Sequence, residues 1–252
     1  MIPEIIKLYI SNFVLQILSH DAIRFEYTDK EGSPNLNGFL NKIIPNIMHY
    51  RKYRREKIRK ILSEDYQRKD TDQIYNCVNT VIDEVYFSDE ELDILEDTVW
   101  FRPSIKKKAV FNEIADSETI LTGQSVSVYI RGLLNEYSRL PQYLREKIAF
   151  NDELIDFKNA SETGRIFHAT VNRKSIRVFA FQYVYEWTYD QGNYLIGYDL
   201  THKVIGAIPL YKIKNPFVVD TKYKPTEMLL QNLQSYYENQ NFDDFIEYKE
   251  KS

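Results

Sequence analysis

The chain reads as an α+β protein of several domains, mostly helical in its N-terminal half and rich in β-strands towards its C-terminus. Three observations predict this. Up to about residue 164 the apolar residues recur at helical spacing, as in Phe39, Leu40, Ile43 and Ile44. From Arg165 the pattern changes to β-branched and aromatic runs such as IRVFAFQYVY, bounded by turn residues. The N-terminal half also repeats itself: N-L-N-G-F-L-N-K-I-I from Asn35 matches S-V-S-V-Y-I-R-G-L-L from Ser125 at an offset of 90 residues.

In order along the chain, Lys7 to Ser11 alternates polar and apolar residues, which predicts a short strand. Asn12 to His20 follows as a short helix, and Lys30 to Pro34 makes a turn. Asn35 caps a second helix, which Pro45 is expected to kink. The run Arg51 to Lys60 holds seven basic residues and one acidic, whereas Val81 to Asp97 holds eight acidic residues and no basic one. The two stretches either pair with each other or leave a basic face for phosphates; a plainly solvated helix face is the simpler reading. A helix is expected over Asp70 to Phe87, then a Ser88–Glu91 capping box. The pattern then returns with a strand at Val99 to Arg102, a helix from Ile105 to Asp116, and a helix from Ser125 to about Tyr137. The strands match only after a further one-residue adjustment.

This duplicated strand–helix–helix unit resembles a ribbon-helix-helix half, of which two pair their strands into an antiparallel ribbon that enters a DNA major groove. One half cannot bury its apolar face alone, so two halves in one chain imply an intramolecular pseudo-dimer; an ordinary helical bundle is the alternative. Under the resemblance, Lys7, Tyr9 and Ser11 of the first strand, with Trp100 and Arg102 of the second, face base edges. The helix N-termini at Asn35 and Ser125 offer N–H groups to phosphates, and Arg51, Lys52, Arg54 and Arg55 supply positive charge.

Pro141 sits in the first turn of a helical connector, and Asn151 to Gly164 reads as a helix and a turn. Strands are expected at Arg165–Val171, Ser175–Trp187, Asn193–Asp199 and Lys203–Ile213, with a hairpin loop at Asp190-Gln191-Gly192. Thr226 caps a last helix, Glu227 to about Glu238. The stretch from Ser125 to Phe150 resembles the segment before the WYL domain of a group of bacterial regulators. Ile176 to Ile213, and G-N-Y-L-I-G-Y-D within it, resembles the WYL core, an SH3-like or Sm-like barrel that senses a ligand, often a nucleic acid or nucleotide. Asn193 stands where that family has its tryptophan, and Ala180-Phe181 where it has proline-tyrosine. Ile208 to Ile213 keeps one lysine, Lys212, in place of two arginines. The resemblance and the charge pattern point to Arg165, His168, Arg173, Lys174, Arg177 and Lys212 for phosphates, and to Tyr183, Tyr185 and Tyr198 as stacking faces; each tyrosine equally suits a barrel interior.

The expected architecture is therefore a duplicated ribbon-helix-helix-like region followed by a small SH3/Sm-like β-barrel (WYL) with a terminal helix. Its segments are a first half over 1–50, a basic then acidic linker over 51–97, a second half over 98–140, a connector over 141–164, the barrel over 165–219, and a C-terminal helix and tail over 220–252.

Composition narrows the function. The net charge is −4, so the chain is not a globally basic nucleic-acid binder and the local distribution decides. Tyr numbers 20 against 2 Trp, which suits stacking surfaces, although a gene low in G and C gives the same excess. A single cysteine, Cys77, excludes an internal disulfide and fits a reducing cytoplasm. The four histidines form no ligand pair, so neither metal nor cofactor is expected. No apolar run reaches about 18 residues, and MIPEIIKLYI lacks the pattern of a signal peptide, so a cytoplasmic protein without a membrane partner is expected. No phosphate loop, nucleophile elbow or nucleophile–histidine spacing is found, which argues against an enzyme. Two functions follow from the resemblances. One is a transcriptional regulator that binds operator DNA. The other is an accessory protein that binds single-stranded RNA and modulates a type VI-D CRISPR effector. A third keeps the fold and makes both halves protein–protein modules. As members of the resembled group commonly dimerise, a second copy of the chain is a further expected partner.

Overall fold

The structure, a computed structural model, describes residues 4–65, 74, 78, 97–113, 123, 125–185 and 192–239. The expected helix over 70–87, the acidic stretch up to 96, the Ser88 capping box, Cys77 and most of the 190–192 loop therefore lie outside the described residues. The chain is an α+β protein made of two compact units, Met1–Leu140 and Pro141–Ser252.

The first unit holds a two-stranded antiparallel ribbon, β1 (Ile6–Ile10) and β2 (Asp97–Phe101), paired so that Lys7 faces Trp100 and Tyr9 faces Thr98. Strand alternation explains which side chains turn inward. Ile6, Leu8, Ile10, Val99 and Phe101 are buried, whereas Tyr9 and Trp100 are exposed. Each strand leads into helices: α1 (Asn12–Arg24) and α2 (Leu36–Asp65) after β1, then a 3-10 turn at Ile105–Lys107, α3 (Lys108–Glu113) and α4 (Val126–Arg139) after β2. The helices of one half pack on the strand of the other, α2 against β2 and α4 against β1. Neither strand could bury its apolar side without the opposite half.

The repeat is visible in three dimensions. Asn35 Oδ1 accepts from the Gly38 N–H at 2.9 Å and Ser125 Oγ from the Val128 N–H at 3.4 Å, so both caps work alike. Phe39, Leu40, Ile43 and Ile44 are buried, as are Tyr129, Ile130, Leu133 and Leu134, their counterparts 90 residues on. The strands align at an offset of 91, which is the one-residue adjustment read in the sequence. Between the halves, Tyr137 donates to the buried carboxylate of Asp21 at 2.9 Å.

Helix α2 runs through Pro45 as one element of 30 residues, so the basic run continues this helix. Two details differ from expectation. Helix α1 extends to Arg24, past the expected end at His20. Ser11 does not face outward: it is 3% exposed and caps α1, its Oγ accepting from the Val14 N–H at 3.3 Å.

The second unit opens with α5 (Gln142–Ala149) and α6 (Asn151–Thr163), the latter ended by Gly164 at φ +66. Five antiparallel strands follow: β3 (Arg165–Val171), β4 (Lys174–Tyr185), β5 (Asn193–Asp199), β6 (Val204–Pro209) and β7 (Lys214–Lys222). Their order in the sheet is β6-β5-β4-β3-β7. One close approach demands glycine: a Cβ on Gly197 would stand 2.3 Å from Val178 Cγ1 and 2.8 Å from the Phe179 carbonyl oxygen.

The expected closed barrel is not what the described residues show. The sheet is open, with β6 and β7 as its edges, although a register shift between Ala180 and Gln182 bends the long β4. The expected strand Lys203–Ile213 is split into β6 and a 3-10 turn at Leu210–Lys212, and β7 was not expected at all. Pro216 argues against a strand on sequence, yet an edge strand tolerates proline because one side of it needs no ladder partner.

Helix α6 covers one face of the sheet, with Phe157 edge-on to Phe167 at 5.3 Å. On the other face, α7 (Glu227–Asn239) buries Leu233 against Phe179, Tyr194, Ile196 and Ala207. Thr226 caps α7 as expected, accepting from the Leu229 N–H at 3.2 Å.

Candidate nucleic-acid interfaces

In the first unit, three of the expected base-facing residues sit together. Lys7, Tyr9 and Trp100 share the solvent side of the ribbon, with the Lys7 ammonium 4.5 Å from the Tyr9 ring centroid and 5.4 Å from that of Trp100. Arg102 lies just beyond β2 and its side chain is exposed. Its backbone is pinned to α2: its N–H donates to Asn37 Oδ1 at 2.8 Å, and its carbonyl accepts from Asn41 Nδ2 at 3.0 Å. These two asparagines were missed on sequence, where they read as ordinary polar helix positions.

The basic half of α2 divides between interior and solvent. Arg54 Nη1 lies 2.9 Å from Glu136 Oε1, Arg51 Nε lies 4.0 Å from Oε2, and Glu136 is 2% exposed. Those two arginines neutralise a buried carboxylate within the unit. Lys52 is exposed and Arg55 half-buried, and both line a cleft of about 420 Å³ together with His49, Glu56, Glu113 and Tyr129.

The second unit divides the expected residues into two clusters. The first lies on the sheet face opposite α6, beyond the part that α7 covers. Across three strands, Arg177 of β4, His168 of β3 and Phe217 of β7 stand side by side. The His168 and Phe217 rings stack at 4.5 Å with an interplanar angle of 27°. Ser175 Oγ and His168 Nε2 are 3.1 Å apart, which fixes the imidazole edge. Arg177 is exposed, and Phe217 keeps 52% of its surface in water. Arg173 and Lys174 lie at the adjoining β3–β4 turn, where Asn172 and Arg173 adopt φ 47 and 63. Phe217 was missed because β7 was missed.

The second cluster lies by α5 and α6. Asn193, 0% exposed, donates from Nδ2 to Glu146 Oε2 at 2.7 Å and to the Tyr143 carbonyl at 2.8 Å. Its backbone N–H also donates to Glu146 Oε2 at 2.7 Å, and its Oδ1 accepts from the Tyr183 hydroxyl at 3.2 Å. The Tyr183 ring carries the Lys158 and Lys147 ammonium groups at 4.8 and 5.4 Å, and Tyr185 stacks on Tyr143 at 4.8 Å. Burial, together with Tyr185, Glu146 and Tyr143 nearby, pushes the Tyr183 phenol up to about 12. The phenol is thus a neutral donor throughout the physiological range. An unfolded phenol titrates near 10.0, so its ionisation favours unfolding as pH rises from there through about 12. A pH series of thermal melts is expected to show stability lost over that window, and Tyr183→Phe to reduce the loss.

The remaining expected residues make other contacts. Tyr198 packs into the cluster beneath α7, with its ring centroid 6.3 Å from that of Tyr223. Arg165 Nη2 reaches Asp220 at 3.6 Å, and the Lys212 ammonium lies 5.1 Å from the Tyr211 ring centroid. Among the described residues, no group of three or more His, Cys, Asp or Glu side chains is placed to hold a metal, and no helix is long and apolar enough to cross a membrane.

The fold and these surfaces define an α+β protein with a paired-strand helical unit and an open antiparallel sheet unit. A solved structure described as "Crystal structure of a CRISPR Cas-related protein" shares this fold, with a TM-score of 0.65 at 15% identity, over 94% of this chain and 71% of that one. No protein-family model matches the chain, and no curated protein matches it.

Proposed function

We propose that the chain is a non-enzymatic, nucleic-acid-binding regulator whose C-terminal sheet holds single-stranded nucleic acid. The observation that carries this is the open row Phe217–His168–Arg177, a stacked aromatic pair beside an exposed guanidinium. Aromatic faces take unstacked bases and cations hold the backbone, which is the physical basis of single-strand binding. The fold shared with a CRISPR Cas-related protein supports a CRISPR-related role; an accessory role beside an RNA-targeting effector, with that effector and a second copy of the chain as partners, is the form of it that single-strand binding suits.

A second reading, a transcriptional regulator binding duplex DNA, is favoured by one observation: the antiparallel β1–β2 ribbon between two strand–helix–helix halves is the arrangement of a ribbon-helix-helix unit. The bent β4 likewise supports reading the C-terminal sheet as an opened-out relative of the WYL barrel.

Fluorescence anisotropy with single-stranded RNA, single-stranded DNA and duplex DNA separates the readings. The first predicts preferential single-strand binding that weakens about tenfold or more between about 50 and about 200 mM salt. Preferential duplex binding would support the second, and binding to none of the three would refute both.

A further inference from the structure

The β1–β2 ribbon presents a surface whose chemistry does not suit a duplex groove. Its outward positions are Lys7, Tyr9, Thr98 and Trp100. Groove reading uses side chains that reach base edges with paired donors and acceptors, chiefly Arg, Lys, Asn and Gln. Here two of the four positions are aromatic, Tyr9 at 46% and Trp100 at 62% exposure. The one cation lies over both rings rather than extended from the ribbon. An aromatic face meets a base face only when that base is unstacked, as in a single strand. Backbone charge is at hand, because Arg102, Lys106 and Lys108 are exposed on the segment that follows β2. The only acidic residue on either strand, Asp97, lies at the ribbon's end within 3.4 Å of the Asn12 amide.

We propose that the solvent face of this ribbon, Tyr9 and Trp100 with Lys7 between them, is a second contact for single-stranded nucleic acid and not a reader of duplex grooves. This rests on the nucleic-acid reading above and adds to it a site in the other unit.

Trp100 reports directly on the proposal. Trp187→Phe leaves Trp100 as the sole tryptophan of the full chain. Oligouridine and oligodeoxyuridine of about 12 nucleotides, and a duplex of the same length, are titrated while emission and anisotropy are read together. The expected result is that single strands quench Trp100 emission about twofold, that the duplex does not, and that Tyr9→Ala weakens the quenching titration; the two oligonucleotides show whether ribose or deoxyribose is preferred. Anisotropy that reports binding with Trp100 emission unchanged would overturn the ribbon site and leave the nucleic-acid reading standing. Quenching by the duplex as strong as by single strands would overturn it in favour of groove binding. No binding by either signal would overturn both and leave the ribbon as a protein-docking face. Tyr9→Ala falls on an exposed side chain, and an unchanged melting temperature checks each variant.

Discussion

Replacing Phe217 with alanine is expected to weaken the proposed single-strand binding about tenfold, and Phe217→Ala with Arg177→Glu to reduce it about a hundredfold or more. Stacking on an aromatic ring contributes about 1–3 kcal/mol per base, and Phe217 already has half its surface in water, stacked on His168 and ready to extend the stack. Arg177 acts differently. Under the proposed function its exposed guanidinium adds a phosphate contact, so reversing its charge is expected to lower affinity and to flatten the salt dependence by about one contact. Phe217→Ala should leave that slope unchanged. Measuring affinity at several salt concentrations for each variant separates stacking from charge, and the pattern fails if both variants change the slope equally. Neither residue is buried, so melting temperatures should stay near that of the parent.

The second large effect is on stability. Asn193→Ala destabilises the C-terminal unit by about 3 kcal/mol, because one side chain there satisfies several buried groups. Its loss leaves the Tyr143 carbonyl and the Tyr183 hydroxyl without this partner, and takes a donor from Glu146, which is 1% exposed. Asn193→Trp, which installs the residue of the resembled family, costs more still, since a site with 0% exposure has no room for an indole and the same hydrogen bonds are lost. Thermal melts followed by circular dichroism should show Asn193→Ala lowering the C-terminal transition by about 10 °C or more. A shift of a degree or two would mean that the network contributes little.

That network shows where reading the sequence reached its limit. The position of Asn193 was legible as a departure from a familiar pattern, but its partner Glu146 stands 47 residues earlier on a helix whose polarity looked ordinary. Hydrophobic periodicity predicts which face of an element turns inward, and so the repeat, the caps at Asn35 and Ser125 and strands β3 and β5 were all readable. It does not register a buried ion pair between distant elements. Arg51 and Arg54 read as part of a solvent-facing basic run, whereas both lean on Glu136. Strand β7 was hidden by Pro216, and with it Phe217, the aromatic residue that completes the row on the sheet. Tyr183, Tyr185 and Tyr198 were correctly picked out as tyrosines in strands, but register and bulge decide their neighbours: Tyr183 and Tyr185 turn away from His168 and Arg177, whereas Tyr198 stands opposite Phe179 on the face that also carries Arg177.

The most direct test of the central claim is photo-cross-linking of a 4-thiouridine-containing single strand to the full chain, with the modified peptides mapped by mass spectrometry. The proposed function predicts cross-links in the peptides that carry His168, Arg177 and Phe217, reduced by Phe217→Ala at an equal concentration of the strand. Efficient cross-linking that avoids residues 165–185 and 214–222 altogether would contradict it.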